Sequence, residues 1–202
     1  MESARMKFNL WKLDEHSELV EALFAAHREA AIANDNASKL CVQQAWGGSG
    51  RFENAIIAGM ATIGALHAPL VAARKLFELG GSADLYIEEW VKRGERVPGF
   101  GNSFFGGRGD HSFNEPCRIL MRAYGWAYDR VGELKGTIEW VRQERGKEAA
   151  EISPNAAMWT AVIASICEVP IGLEPALFAM ARIPAWAEMC GAVQHPKVGG
   201  VR

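Results

Sequence analysis

Side chains able to move protons gather in one stretch, Gly94 to Ser112. Asp110 and His111 adjoin there, and a carboxylate beside an imidazole can act as an acid/base pair. Asn102, in the same stretch, can donate a hydrogen bond to a developing oxyanion but exchanges no proton at neutral pH. The stretch also holds Gly94, Gly99, Gly101, Gly106, Gly107, Gly109 and Pro98. A long irregular segment inside a compact domain usually has a function, and its glycines permit positive φ and close backbone approach to a ligand. It is expected to act as a lid. The G-x-G of Gly99-Phe100-Gly101 follows no strand pattern, so it does not read as a dinucleotide fingerprint. Arg108-Gly109-Asp110 matches an adhesion tripeptide, a chance match in a chain with no secretion signal.

An ordered series of motifs adds a second reading. The series runs Asn36-Ala37-Ser38, Ala65-Leu66-His67-Ala68-Pro69-Leu70-Val71-Ala72-Ala73 and Pro98-Gly99-Phe100-Gly101-Asn102. It ends with Ser153-Pro154-Asn155-Ala156-Ala157 and Phe178-Ala179-Met180-Ala181-Arg182. In order and separation these resemble the citrate synthase superfamily, which writes them N-A-S, G-P-L-H-G-G, G-F-G-H-R, P-N-V-D and F-x-x-x-R. Gly59-Met60-Ala61-Thr62-Ile63-Gly64 and the short length are closer to the branch of citryl-CoA lyases and the lyase domain of ATP-citrate lyase.

The resemblance implies an all-α, citrate synthase-like helical bundle forming a homodimer, with no cofactor beyond a possible acyl-CoA substrate. It places Arg182 at the carboxylate clamp and Gly99, Phe100 and Gly101 in the loop beside CoA. His195, in His195-Pro196-Lys197, stands where the family has an arginine. The family's two catalytic histidines fall on Val71 and Asn102, and its catalytic aspartate falls on Ala157. Valine and alanine can neither take a proton nor hold a charge. His67, one helical turn before Val71, is a candidate replacement among the substrate-binding residues. Two readings follow. One is a divergent enzyme making or breaking a C–C or thioester bond, a lyase or acyltransferase, with Asn102 as oxyanion donor and Asp110 or His111 as proton carrier. The other is a catalytically inactive binding or partner subunit.

The elements that must position these groups read as helices. Ser17 caps a helix carrying Leu19, Val20, Leu23, Phe24 and Ala31. Asn34, Asp35 and Asn36 break the chain and cap a helix that stops at Gly47-Gly48. Ala55 to Leu66 should be a buried helix. Pro69 begins another, ended by Gly80-Gly81, and Ser82 caps a helix with Leu85, Ile87, Trp90 and Val91. After the glycine-rich segment, helix is expected at Glu115 to Tyr124 and Val131 to Arg145. Ser153-Pro154, an N-cap and a first-turn proline, should open a helix through Ile166, and Gly172-Leu173-Glu174 should start one to Ile183, where Pro184 breaks or kinks it. No stretch alternates long enough to be a strand.

Size and composition agree. The 202 residues suit one domain over 1–202, and 49% hydrophobic residues suffice for a core. A net charge of −2, without a basic stripe, gives no general attraction to nucleic acid or an anionic membrane. Cys41, Cys117, Cys167 and Cys190 form no C-x-x-C pair, so no metal site or disulfide framework is expected. They read as reduced thiols of a cytoplasmic protein. Trp126, Trp140, Trp159 and Trp186 read as core or dimer-interface residues.

Overall fold

The computed structural model describes residues 12–33, 36–64, 69–101, 110–146 and 152–191, which form helices joined by short connections. The first helix, α1 (Ser17–Ala33), turns Leu19, Leu23, Ala26, Ala30 and Ala31 into the core. That i, i+4 stripe also contains His27, which is fully buried. Next come α2 (Ala37–Ser49), α3 (Phe52–Ala61), α4 (Leu70–Glu78) and α5 (Ala83–Lys92). A 3-10 turn (His111–Phe113) leads directly into α6 (Asn114–Ala123), and α7 (Gly125–Glu144), α8 (Ala156–Ile166) and α9 (Glu174–Met189) complete the order. The described residues contain one isolated β-bridge, Phe100 to Pro154, and no strand, so the all-α expectation is met.

Two layers of packing matter for the site. Apolar on every face, α8 buries Ala157 through Ala164 at the centre of the main core. Helices α1, α4 and α9 pack around it, with α1 and α9 in long contact with each other. The α2–α3 hairpin lies to one side and builds a smaller cluster of Val42, Ala55, Trp186 and Cys190.

Several boundaries differ from expectation. Gly47 and Gly48 do not stop α2; it continues to Ser49 and ends where Gly50 adopts φ +61°. Helix α3 ends at Ala61, where Thr62 turns its hydroxyl back to the Gly59 carbonyl at 2.7 Å. It is not buried all round: Ala55 and Gly59 face inward, while Ile57 and Met60 are exposed. Helix α7 begins six residues before Val131, because one residue, Tyr124, suffices to turn the chain from α6. Ser82 precedes α5 but makes no side-chain cap bond. Pro184 does not break α9: the acceptor it leaves unbonded is the carbonyl of Met180, whose residue is exposed, so water can solvate it. Of the tryptophans, Trp159 and Trp186 are core residues, whereas Trp126 and Trp140 are exposed.

Candidate functional site

Helix α9 places Phe178 and Arg182 one turn apart on its inward face. The guanidinium carbon of Arg182 lies 4.5 Å from the Phe178 ring centroid, a cation–π arrangement. Arg182 is only 5% exposed, and burial lowers its pKa to about 10, while the charge of Asp110 opposes that shift. It therefore remains cationic at neutral pH. Among the described residues its Nε and Nη1 have no hydrogen-bond partner.

Across from it, α1 contributes His27. The imidazole packs edge-on against Phe113, 5.1 Å between centroids, and against Phe178, 4.5 Å. Its Nε2 lies 2.7 Å from Thr160 Oγ1 on α8. Thr160 Oγ1 also lies 2.7 Å from the Ala156 carbonyl, its helical i−4 acceptor. A hydroxyl has one proton, so Thr160 either donates to that carbonyl and accepts from Nε2, or donates to Nε2 itself. Nδ1 has no partner among the described residues. Burial first, and the charge of Arg182 second, hold the His27 pKa well below 6.5. Among the described residues five buried side-chain nitrogens lack a partner, and three of them are in this one cluster. Buried polar groups are ordinarily hydrogen-bonded, so this concentration makes the cluster the candidate site among the described residues.

The 3-10 turn closes one side. Asp110 is half-buried, accepts from the Ser112 amide at 3.0 Å, and acts on Arg182 through space rather than by a direct hydrogen bond. His111, beside it in sequence, is exposed. The two thus face different environments, as neighbouring residues at the start of a helical turn commonly do.

The Gly99–Gly101 segment is anchored. Gly101 N–H donates to the Ser153 carbonyl at 2.8 Å, and Asn155 N–H donates to the Gly99 carbonyl at 2.9 Å. The Asn155 amide donates to the Gly101 carbonyl at 3.0 Å, and its oxygen caps α8 by accepting from Ala157 N–H at 2.9 Å. Asn155, not Ser153, is therefore the N-cap. Gly99 has φ +82°, and a Cβ there would lie 2.8 Å from Met158 Cε and 3.1 Å from Ala73 Cβ. The close approach that requires glycine at 99 is thus to α8 and α4 of this chain itself. Phe100 is buried in the core.

Of the residues singled out from sequence, Arg182 and Asp110 come together, His111 stands outside, and Gly99, Phe100 and Gly101 support α8. Asn102, His67 and His195 lie outside the described residues. Val71 is exposed on α4 and Ala157 buried at the start of α8. Sequence reasoning missed His27, Thr160, Phe113 and Phe178 as site residues. Signals existed: a histidine on an otherwise apolar stripe of α1, and one hydroxyl inside the buried stretch Ala157 to Ala164 of α8. Burial raises the Cys117 and Cys167 thiols to about 12, so neither offers a thiolate nucleophile at neutral pH.

The fold is similar to that of citryl-CoA lyase from Hydrogenobacter thermophilus, with a TM-score of 0.69 and 18% sequence identity. The alignment covers 94% of this chain and 74% of that one. The likeness at this identity is one of fold, a citrate synthase-like helical architecture. No protein-family model matches this sequence, and no curated protein does.

Proposed function

We propose that this chain binds a small carboxylate at Arg182, as a divergent relative of the citrate synthase and citryl-CoA lyase group. One observation carries the reading: a buried, charged guanidinium with two unpartnered nitrogens, facing an imidazole and an aromatic ring. An uncompensated buried charge is costly, and an anion accepting two charge-assisted hydrogen bonds offsets that cost. The fold likeness to a citryl-CoA lyase supports an acyl-CoA or a polycarboxylate as the carrier of that carboxylate. In a catalytic version, Asn102 stabilises the oxyanion, Asp110 carries the proton, and the Gly94 to Ser112 segment covers the ligand. His111, exposed at the start of the 3-10 turn, is the alternative proton carrier.

A second reading is an inactive binding or partner subunit. It is favoured by Val71 and Ala157, whose side chains cannot exchange protons at the positions where the resemblance expects histidine and aspartate. Calorimetric titration of citrate, oxaloacetate, CoA and acetyl-CoA tests the shared core of both. Arg182→Lys is expected to weaken carboxylate binding at least tenfold, ~1.4 kcal/mol, through loss of the planar fork. Unchanged affinity in a folded variant would exclude Arg182. A thiol-release assay on the same samples then separates enzyme from binding subunit.

We further propose that the protein is a homodimer through the α2–α3 hairpin. Leu40, Ile57 and Met60 are exposed there beside the small Val42–Trp186 cluster, an apolar surface that a second copy would cover. Light scattering at micromolar concentration should give twice the 22.1 kDa chain mass. A single-chain mass would refute it.

A further inference from the structure

Helices α5 and α7 pack against each other and leave an open groove of ≈ 430 Å³ at their seam. None of its lining residues belongs to the Arg182 cluster. We infer that this groove binds an aliphatic polyamine, an extended cation that lays its methylenes against Trp140 and places separate ammonium groups on carboxylates of the two helices.

Helical period builds the groove. In α5, Ala83, Ile87 and Val91 recur every four residues and face the core, so Asp84 and Glu88 form the next stripe, outside it. In α7, Ile138 and Val141 are buried, while Trp140 and Glu144, one turn apart, are exposed. Asp84, Glu88, Trp140, Val141, Glu144 and Arg145 line the groove. Val141 is 4% exposed, whereas Trp140 is 58% exposed, so an aromatic surface stands open to a ligand.

Charge and apolar surface together select the occupant. Three carboxylates share the groove with one guanidinium, and Arg145 is already committed to Glu88 by an ion pair between the helices. Among the described residues no ion pair involves Asp84 on α5 or Glu144 on α7. Two negative charges, one on each wall, are therefore left beside a tryptophan. A cation near an indole ring is attracted by the ring quadrupole, and an alkyl chain covers the remaining apolar surface as a lysine stem does.

A metal ion does not match this arrangement. Among the described residues no three carboxylate, imidazole or thiol groups stand close enough together to hold one. Carboxylates spread too widely to share an ion suit a ligand whose own charges are spaced apart. A peptide strand matches less well. Its carbonyls need donors, and the lining side chains offer only the indole N–H and the already paired Arg145. A polyamine brings nothing but ammonium groups and methylenes, which carboxylates, indole and valine complement.

The test uses the full chain with spermidine, n-butylamine, magnesium and trilysine as probes. Calorimetry should show one saturable spermidine site, with n-butylamine, which carries a single ammonium, binding several-fold more weakly. Asp84→Asn and Glu144→Gln should each weaken spermidine binding about two- to fivefold, the range of one exposed ion pair. Trp140→Leu should weaken it by about the same factor through loss of the cation–π contact. All three positions are exposed, and circular dichroism confirms that each variant is folded. Proton–nitrogen NMR of the labelled wild type gives a reading that needs no variant: the Trp140 indole N–H resonance should move as spermidine is added. A resonance that stays in place at millimolar spermidine overturns the inference. So does wild-type affinity in the three variants, which would put the binding elsewhere. Equal binding of magnesium and spermidine would show diffuse counterion attraction and overturn it too. Tighter binding of trilysine than of spermidine would reassign the groove to a basic peptide and overturn the polyamine class.

Discussion

Two buried arginines in this molecule have opposite surroundings. Arg74 on α4 is 6% exposed and fully engaged: it bonds Glu78 at 2.7 Å and Glu174 at 2.9 Å, and donates to the Val169 carbonyl. Glu174, itself fully buried, also accepts from the Gly172 amide at 2.9 Å. That network ties the start of α9 to α4 and the loop after α8. Arg182, two turns further along α9, is equally buried but meets a ring face, a neutral imidazole and a carboxylate that does not touch it. The first arginine closes the structure on itself. The second leaves bonding capacity unused among the described residues, and on the proposal above that difference separates a group kept for stability from one kept for a ligand.

The comparison is broken most directly at Arg74. Arg74→Met would strand a fully buried Glu174 carboxylate, and removing one partner of a buried pair typically costs about 3–5 kcal/mol. Urea unfolding should show a loss of that order; a loss below ~1 kcal/mol would mean the network contributes little.

A smaller effect is expected from acid. The folded pKa of His27 is lowered, so below about 6.5 the unfolded chain binds a proton that the folded chain resists. Stability should be intact above that pH and fall beneath it, by at most ~1.4 kcal/mol per pH unit from this residue. The charged group facing His27 is Arg182; Thr160, Phe113 and Phe178, from the other packed elements, are neutral. Denaturation series from pH 7.5 to about 5 on wild type and His27→Gln check it. Identical slopes would rule His27 out as the source.

The smallest effect should come from Arg182→Met. Replacing an unpaired buried charge by a side chain of similar length should change stability by less than ~1 kcal/mol, or raise it, while abolishing carboxylate binding. A loss as large as that of Arg74→Met would show that the two arginines are not different in kind.

Much of the architecture was legible in the sequence. Apolar spacing predicted α1, Asn36 its neighbour's cap, and the largely apolar run a helix through Ile166, because helix period and capping are local properties. Boundaries were less legible where a tertiary partner decided them. Ser153 had the right chemistry for a cap, but Asn155 holds the position because it also bonds the Gly101 carbonyl from a distant loop. Pro184 is a helix breaker by covalent geometry, yet α9 continues because packing of Trp186 and Ala185 in the core outweighs one lost hydrogen bond.

The site divides in the same way. Sequence by itself determined that Arg182 and Phe178 share a face, since four residues are one helical turn. It also determined that Val71 and Ala157 bring no proton, since that is a matter of residue type. Only the tertiary structure decided that the Asp110 charge reaches Arg182 while His111 faces solvent, and that His27 meets the hydroxyl of Thr160, 133 residues away along the chain. The physical reason is that hydrogen-bond complementarity is a property of atoms brought together. A buried histidine shows no sign in one dimension of which nitrogen is satisfied, because the hydroxyl that satisfies it comes from another helix.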